Sequence, residues 1–509
     1  MATAAMAAAV VGAQEASPSM APYAYTVPDA AAYALADSLI AAAAAVNTTY
    51  TRLAYAPTVF GPRFSGTPAL ELALDWVATT AANEDNLRVI QQPVWVPTWI
   101  RGNESATMVA PRNWVLRSVG IGMTNSTGGV VVQAPVLCVT SQAELTAAGA
   151  AAVGKIILFN VPFTTYGATV AYRANAGVWA AAAGGVGALI RSVAPFGIQT
   201  PHTGGGATAS VYAAAVSLED ANMLCRLQSY GMTPEVALYS EARQVNDSLS
   251  RNIILEVPGA ELPDEYVVIG GHSDSWDNAA GAMDDGGGSF ASWEALRLIT
   301  ALGIKPKRTI RAVFWVNEEN GARGGAAYAS GFAATLPNTS IAIECDEGAF
   351  QPFGLIFSGY PSAVNQVTLL GRLLARIGAG NVTAYQGATG TDVAATCATG
   401  VPCGGLVVED PRIGSASNNP CVPYNVDAGS DSPFQISNGY FWYHHTAADT
   451  IERMDSGQLQ AAAAALAVWA VSIANLPTLL PRCVFARLPC TIQCNAPTPS
   501  HSPPTPLAQ

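Results

Sequence analysis

From Asn252 to about residue 377, apolar runs of strand length alternate with stretches of helical periodicity. The runs IILEV, VVIGG, IRAVFWV and IAIE are spaced by expected helices at 289–302 and 322–332, with a further helix near 361–377. Short apolar runs with helices between them build a sheet covered on both faces, so the chain is expected to be α/β. Sheets of this kind place their sites beyond the carboxyl ends of the strands. Here those ends carry the chemistry. His272 and Asp274 follow VVIGG, and a loop then delivers Asp284, Asp285 and a triple glycine ahead of a helix starting near Ser289. Glu318 and Glu319 end TIRAVFWV, Asp346 follows SIAIE, and His444-His445 close an aromatic run downstream.

Imidazoles and carboxylates in this number form a ligand set for two divalent metals. Zinc takes both ligand types, and two ions about 3.5–4 Å apart need a bridging carboxylate. If one nitrogen of His272 binds metal, Asp274 can accept from the other and fix the tautomer. Asp284 can reach both metals, and Asp285 can brace the turn. Adjacent Glu318 and Glu319 diverge, so one can bind metal while the other faces a metal-bridged water. Paired metals lower the pKa of that water toward ~7, and the free glutamate can move its proton to a leaving amine. Each fragment alone has a plainer reading: a turn, a solvated charge pair, a packed histidine. Three of the chain's five histidines nevertheless fall in these segments.

The 509 residues allow two or three domains. A charged fraction of 12% and a net charge of −12 argue against nucleic acid or an anionic membrane as partner. The most apolar stretch, 461–474, is short of the roughly 20 residues of a membrane span and reads as a buried helix. Residues 1–25 read as a signal peptide or disordered leader, and 26–120 as the first part of the main domain. From 121 to 248 short β-branched runs with glycine-rich turns mark an insert, 249–478 carry the site, and 479–509 form a Cys-containing, Pro/Ser-rich tail. Sequons at Asn47, Asn103, Asn125, Asn246, Asn338 and Asn381 point to the secretory pathway. So do nine cysteines, of which Cys397, Cys403 and Cys421 cluster in one loop-rich region and Cys483, Cys490 and Cys494 in another.

The segments GGHSDSWDNAAGAMDDGGGSFASWEAL, VFWVNEENG, IECDEGAF, GTDVA and YFWYHHTAADT closely resemble the co-catalytic di-zinc aminopeptidase superfamily, peptidase family M28, and within it the carboxypeptidase Q branch. The likeness extends to FGPRFSGT, GNESATMVAPR and LIRSVAPFGIQTPHTG and covers roughly residues 45–478. It implies a zinc aminopeptidase/phosphorylase-like fold, a mixed central sheet flanked by helices, with 121–248 as an inserted protease-associated domain. It further implies two Zn2+ ions held by His272, Asp284, Glu319, Asp346 and His445, with Asp284 bridging. Glu318 would be the general acid/base, with Asp274 orienting His272. The ligand histidine stands four before an Asp-Thr in the family, which selects His445 ahead of Asp449-Thr450. The Asp284-Asp285 peptide is often cis there. Asp285 and Asp449 are expected behind the ligands.

Members hydrolyse short peptides, chiefly dipeptides with a free amino end, and are secreted or lysosomal homodimers. Asp392, His202 and Tyr443 are the expected substrate contacts; a structural aspartate and a surface-loop histidine are the plainer alternatives for the first two. Rival readings are an aminopeptidase acting on longer chains, a receptor-like protein that has lost its metals, and a single-zinc cyclase relative. None of the paired-metal ligands is missing, which disfavours the last two.

Overall fold

A computed structural model describes residues 23–482 except 196, 349 and 410–439. Cys421, Cys483, Cys490, Cys494, the expected leader up to residue 22 and the tail from 483 lie outside the described residues.

The expected strands assemble, with three others, into one eight-stranded mixed sheet. Its order is Arg88–Ile100, Arg243–Val257, Arg308–Trp315, Leu262–His272, Thr339–Glu344, Cys403–Glu409, Gln351–Ser358 and Asn381–Ala384. The four middle strands, from Arg308–Trp315 to Cys403–Glu409, run parallel. Arg243–Val257 and Gln351–Ser358 flank them antiparallel. Connections leave Leu262–His272 toward Arg308–Trp315 on one side and continue to Thr339–Glu344 on the other. That reversal is the topological switch point where such sheets bind ligands, and His272 stands on it.

Arg308–Trp315, Thr339–Glu344 and the second half of Leu262–His272, from Tyr266 on, are buried because helices cover both faces. Side-chain direction alternates along each strand. Val267, Ile269, Ala312, Phe314, Ile341 and Ile343 pack toward one core, with Leu296 of the helix Gly288–Ala301 and Trp469 of the helix Ser456–Ala474. Val268, Val313, Trp315 and Ala342 pack toward the other face, with Tyr328 of the helix Arg323–Gly331. Among the described residues Ser456–Ala474 is a helix long and apolar enough to cross a membrane, yet it lies mostly buried against this sheet. Its alanines let the helix approach closely, which explains an apolar composition without periodicity.

The edge strand Arg88–Ile100 contains Pro93 and Pro97. Pro93 pairs with Arg251, and the register slips between Val96 and Thr98, around Pro97. An edge position tolerates both residues, since the lost N–H has no partner strand to serve.

A second eight-stranded sheet is built from Glu104 to Ser240. It therefore takes in residues 104–120, assigned above to the main domain, and it ends before 243–257, which belongs to the first sheet. The insert leaves Arg88–Ile100 and re-enters on its antiparallel neighbour Arg243–Val257, so both junctions lie at one sheet edge. Two apolar clusters, one on each face, give this sheet a core of its own. Cys138 on the strand Val132–Val139 is bonded to Cys225 on the helix Leu218–Ser229, and Cys397 to Cys403; Cys345 is a buried free thiol.

Candidate metal centre

His272 is the last residue of its strand and is fully buried. Its Nε2 lies 3.2 Å from Asp284 Oδ1 and 3.2 Å from Asp346 Oδ1. The other oxygen of Asp284 faces the opposite way, 3.2 Å from His445 Nε2, which in turn lies 2.9 Å from Glu319 Oε2. Two groups of ligand atoms result, His272/Asp284/Asp346 and Asp284/Glu319/His445, each with its atoms within 4.8 Å of one another. Asp284 is common to both. The five side chains come from two strand ends, two loops and the segment after the aromatic run, as the spacing of the sequence required.

Asp284 holds its position through its backbone. The Asp284-Asp285 peptide is cis. Asp449 accepts from the Met283 N–H at 2.7 Å and the Asp284 N–H at 3.1 Å. Asp285 points back, accepting from the His272 N–H at 3.0 Å and the Gly288 N–H at 2.9 Å. Arg63 clamps the loop from outside, donating to the carbonyls of Ser273, Ala280 and Gly281 at 2.8–2.9 Å. His445 has a left-handed backbone, φ 57°, held by the Thr203 N–H on its carbonyl. Asn317 has φ 67° just before the glutamate pair, a conformation asparagine adopts more readily than most residues.

The role of Asp274 requires a correction. The nearest acceptor to His272 Nδ1 is the Asp274 main-chain carbonyl, at 2.9 Å, with the carboxylate at 3.7 Å. That carboxylate is engaged elsewhere: it accepts from Ser65 Oγ at 3.0 Å and from the Glu318 N–H at 3.1 Å. Asp274 thus fixes the His272 tautomer through its backbone and positions the Glu318 backbone through its side chain. At the other imidazole, His445 Nδ1 lies 3.2 Å from the Thr203 carbonyl. A proton given to that oxygen leaves Nε2 free as a ligand.

Electrostatically the cluster calls for positive charge. Burial, with neighbouring acids adding to it, pushes Glu318, Glu319 and Asp346 each up to about 7 and Glu344 to about 8. Burial would also raise Asp284, but His444, His272 and His445 around it hold it well below the ordinary value. Asp284 Oδ2 and Asp346 Oδ1 are buried without a hydrogen-bond partner. Buried carboxylate oxygens are seldom left in that condition. Imidazole and carboxylate donors shared through one aspartate suit zinc.

His444 stacks on His445 with ring centres 3.7 Å apart and reaches Asp284 Oδ2 at 3.3 Å; the closer approach to Glu319 belongs to His445. His202, from the insert, is fully buried over this pair, stacked on His445 and bonded through Nδ1 to the His444 carbonyl at 2.8 Å. Asp392 is buried with neither carboxylate oxygen hydrogen-bonded. Tyr443 directs its ring toward Trp442 and the Arg453 guanidinium. Sequence reasoning passed over Arg63, Ser65, Thr203 and Arg173. The first two stand in FGPRFSGT, which carried a turn composition and part of the family likeness but no assigned role.

A family model described as Peptidase family M28 matches residues 252–470. Carboxypeptidase Q of Xenopus laevis is 36% identical over 443 residues, 86% of this chain and 88% of that protein. Carboxypeptidase Q of Homo sapiens is 36% identical over 442 residues, with the same shares covered. The solved peptidase M28 precursor from Shewanella amazonensis is 28% identical with a TM-score of 0.78, covering 88% of this chain and 98% of its own. BSAP, a zinc aminopeptidase from Bacillus subtilis, shares the fold at 20% identity, with a TM-score of 0.58 over 83% of this chain and 93% of its own.

Proposed function

Because the chain belongs to peptidase family M28 and is a metallo-exopeptidase, we propose that it hydrolyses dipeptides or short peptides with a free amino end, using two zinc ions. One observation carries the reading: Asp284 presents one oxygen to the His272/Asp346 side and the other to the Glu319/His445 side. His272 and Asp346 would hold one ion, Glu319 and His445 the other, with Asp284 between them. Bound zinc supplies Lewis acidity and water ionised near neutral pH.

The chain's own groups do the rest. Glu318, left over beside Glu319, is the base that takes a proton from the attacking water and returns it to the leaving amine. Its carboxyl sits near neutral, where one group can serve as both base and acid. The Asp274 carboxylate on the Glu318 N–H keeps that side chain aimed. Asp392, buried and unsatisfied, is the candidate to meet the substrate's ammonium group.

A longer-chain aminopeptidase is the second reading. His202 stacked over His445 favours the short-peptide one, since the insert closes over the site at that point. The second sheet is the proposed protease-associated domain. All six sequon asparagines are exposed, and two disulfides are formed, which supports an oxidising, secretory compartment. The test is a dipeptide panel assayed on purified protein, with chelator and after zinc is added back. Zinc-dependent cleavage is expected; no cleavage of any dipeptide by the zinc-loaded protein would overturn the proposal.

A further inference from the structure

We propose that docking of the insert sets the affinity of one zinc site and not the other, with Thr203 of the insert as the positioning residue for His445. The inference rests on the two-zinc reading above. Thr203 is fully buried and holds His445 twice through its own backbone. Its N–H donates to the His445 carbonyl at 3.0 Å, and its carbonyl lies 3.2 Å from His445 Nδ1. The first bond fixes a residue whose left-handed backbone, φ 57°, is otherwise unfavourable. The second forms only with the proton on Nδ1, which leaves the Nε2 lone pair for metal. Arg173 Nη1 also approaches that Nδ1, at 3.3 Å, but it has nearer acceptors in His202 Nε2 at 2.9 Å and the Tyr166 hydroxyl at 3.0 Å.

The Thr203 loop is itself anchored. Its Oγ1 donates to the Gly120 carbonyl at 2.8 Å. Gly122 donates to the Gly204 carbonyl at 2.9 Å, and Gly206 to the Gly122 carbonyl at 3.0 Å. Arg101, one residue past the edge strand, joins this anchor to the metal loop. Its Nη1 donates to the same Gly120 carbonyl at 2.6 Å, while Nε and Nη2 grip the Asp277 carboxylate at 2.8 and 2.6 Å. A carbonyl has two lone pairs, so it serves both donors. Hydrogen bonds thus run from Asp277 through Arg101, Gly120 and Thr203 to the imidazole of a ligand.

The other imidazole owes nothing to the insert. Among the described residues the polar partners of His272 are the Asp274 carbonyl, Asp284, Asp285 and Asp346, all in the main domain. An insert that moves off its seat would therefore strip the backbone partners from His445 and leave His272 as it was. Coupling of this kind is reciprocal: if docking tightens zinc at His445, zinc there tightens docking by the same factor.

The experiment follows zinc bound to the full chain against graded chelator, with no substrate present. Thr203→Val keeps the side-chain shape without the hydroxyl. It should weaken one of the two ions about 10-fold, the lower end of the range for residues that support a ligand, and leave the other unchanged. Thr203→Ser restores the hydroxyl and should bind both ions as wild type does. In the His445→Ala background, Thr203→Val should not alter the remaining ion. Wild-type affinity for both ions in Thr203→Val would overturn the proposal; so would equal weakening of both, the mark of a structural role. The unsubstituted chain gives a second reading that poor folding of a variant does not blunt. Amide exchange over residues 202–206 should slow at least about 10-fold on zinc loading, the reciprocal of the same coupling. Exchange there that ignores zinc would overturn the proposal. Either failure leaves the peptidase reading intact, since no substrate is involved, whereas a chain that binds no zinc would take both down.

Discussion

Two adjacent pairs at this centre show how far neighbouring side chains can part in role. Glu319 Oε2 lies 2.9 Å from His445 Nε2, whereas Glu318 is tied to the cluster through its backbone N–H on Asp274. Glu318→Gln should therefore keep its zinc, measured by elemental analysis, and lose at least about 100-fold in turnover, the general acid/base scale. Full activity in that variant would remove Glu318 from the reaction. The histidine pair divides likewise: His445→Ala should lose metal, while His444→Ala should retain it, because only His445 approaches both Asp284 and Glu319. At this scale the sequence was legible wherever an acid or imidazole ended a predicted strand. It was not legible for Arg63, Thr203 or Arg173, which reach the centre from distant loops and the insert and carry no local pattern. The Asp274 expectation missed because a two-residue spacing cannot tell a carboxylate from the carbonyl of the same residue.

The strand Leu262–His272 and the helix Gly288–Ala301 can hold the metal loop between them only if backbone meets backbone closely. A Cβ on Gly288 would overlap the Cys345 carbonyl, and one on Gly271 the Asp285 carboxylate. Gly288→Ala should displace the Asp285 brace and lower both zinc content and thermal stability; a variant with wild-type zinc and melting temperature would contradict this. Gly286 and Gly288 of the triple glycine, which by composition alone read as a turn, are thus packing requirements. In the insert, the Cys138–Cys225 bond closes 87 residues, the other described disulfide only six. Removing the first by paired serine substitution should cost about 2–4 kcal/mol in chemical denaturation, and removing the second less, because loop closure scales with length. Equal losses would argue against that account. Five strands of the main sheet were readable from their apolar runs. Gln351–Ser358 and Asn381–Ala384 were not, since they lie toward the far edge, where burial is partial and the pattern weak, and Cys403–Glu409 was not, since it follows a cysteine- and glycine-containing loop.

Over the molecule, a surplus of buried acid is set against few cations, and that balance gives the zinc-free protein a characteristic pH response. Burial holds Glu318, Glu319, Asp346 and Asp449 near 7 and Glu344 near 8. These values lie above the ordinary carboxylate range, so the folded chain keeps protons the unfolded chain has released. The resulting stability is complete only below about pH 4, where the unfolded carboxyls also hold their protons, and is lost as pH rises from there through 7 to 8. His272 and His445, whose carboxylate neighbours outweigh burial and raise them well above 6.5, act in the same direction. His202 and His444, held well below 6.5 by burial, act oppositely, but only as pH falls below that value. The melting temperature of the zinc-free protein should therefore fall between pH 6.5 and 8, with zinc restoring most at the upper end; a flat or rising curve would contradict the assignment. The measurement that bears most directly on the whole account is a zinc titration of chelated protein, with bound metal and dipeptide turnover read on the same samples. The account predicts that turnover vanishes on chelation and returns to a plateau at two zinc ions per chain. Undiminished turnover by the metal-free protein would contradict it.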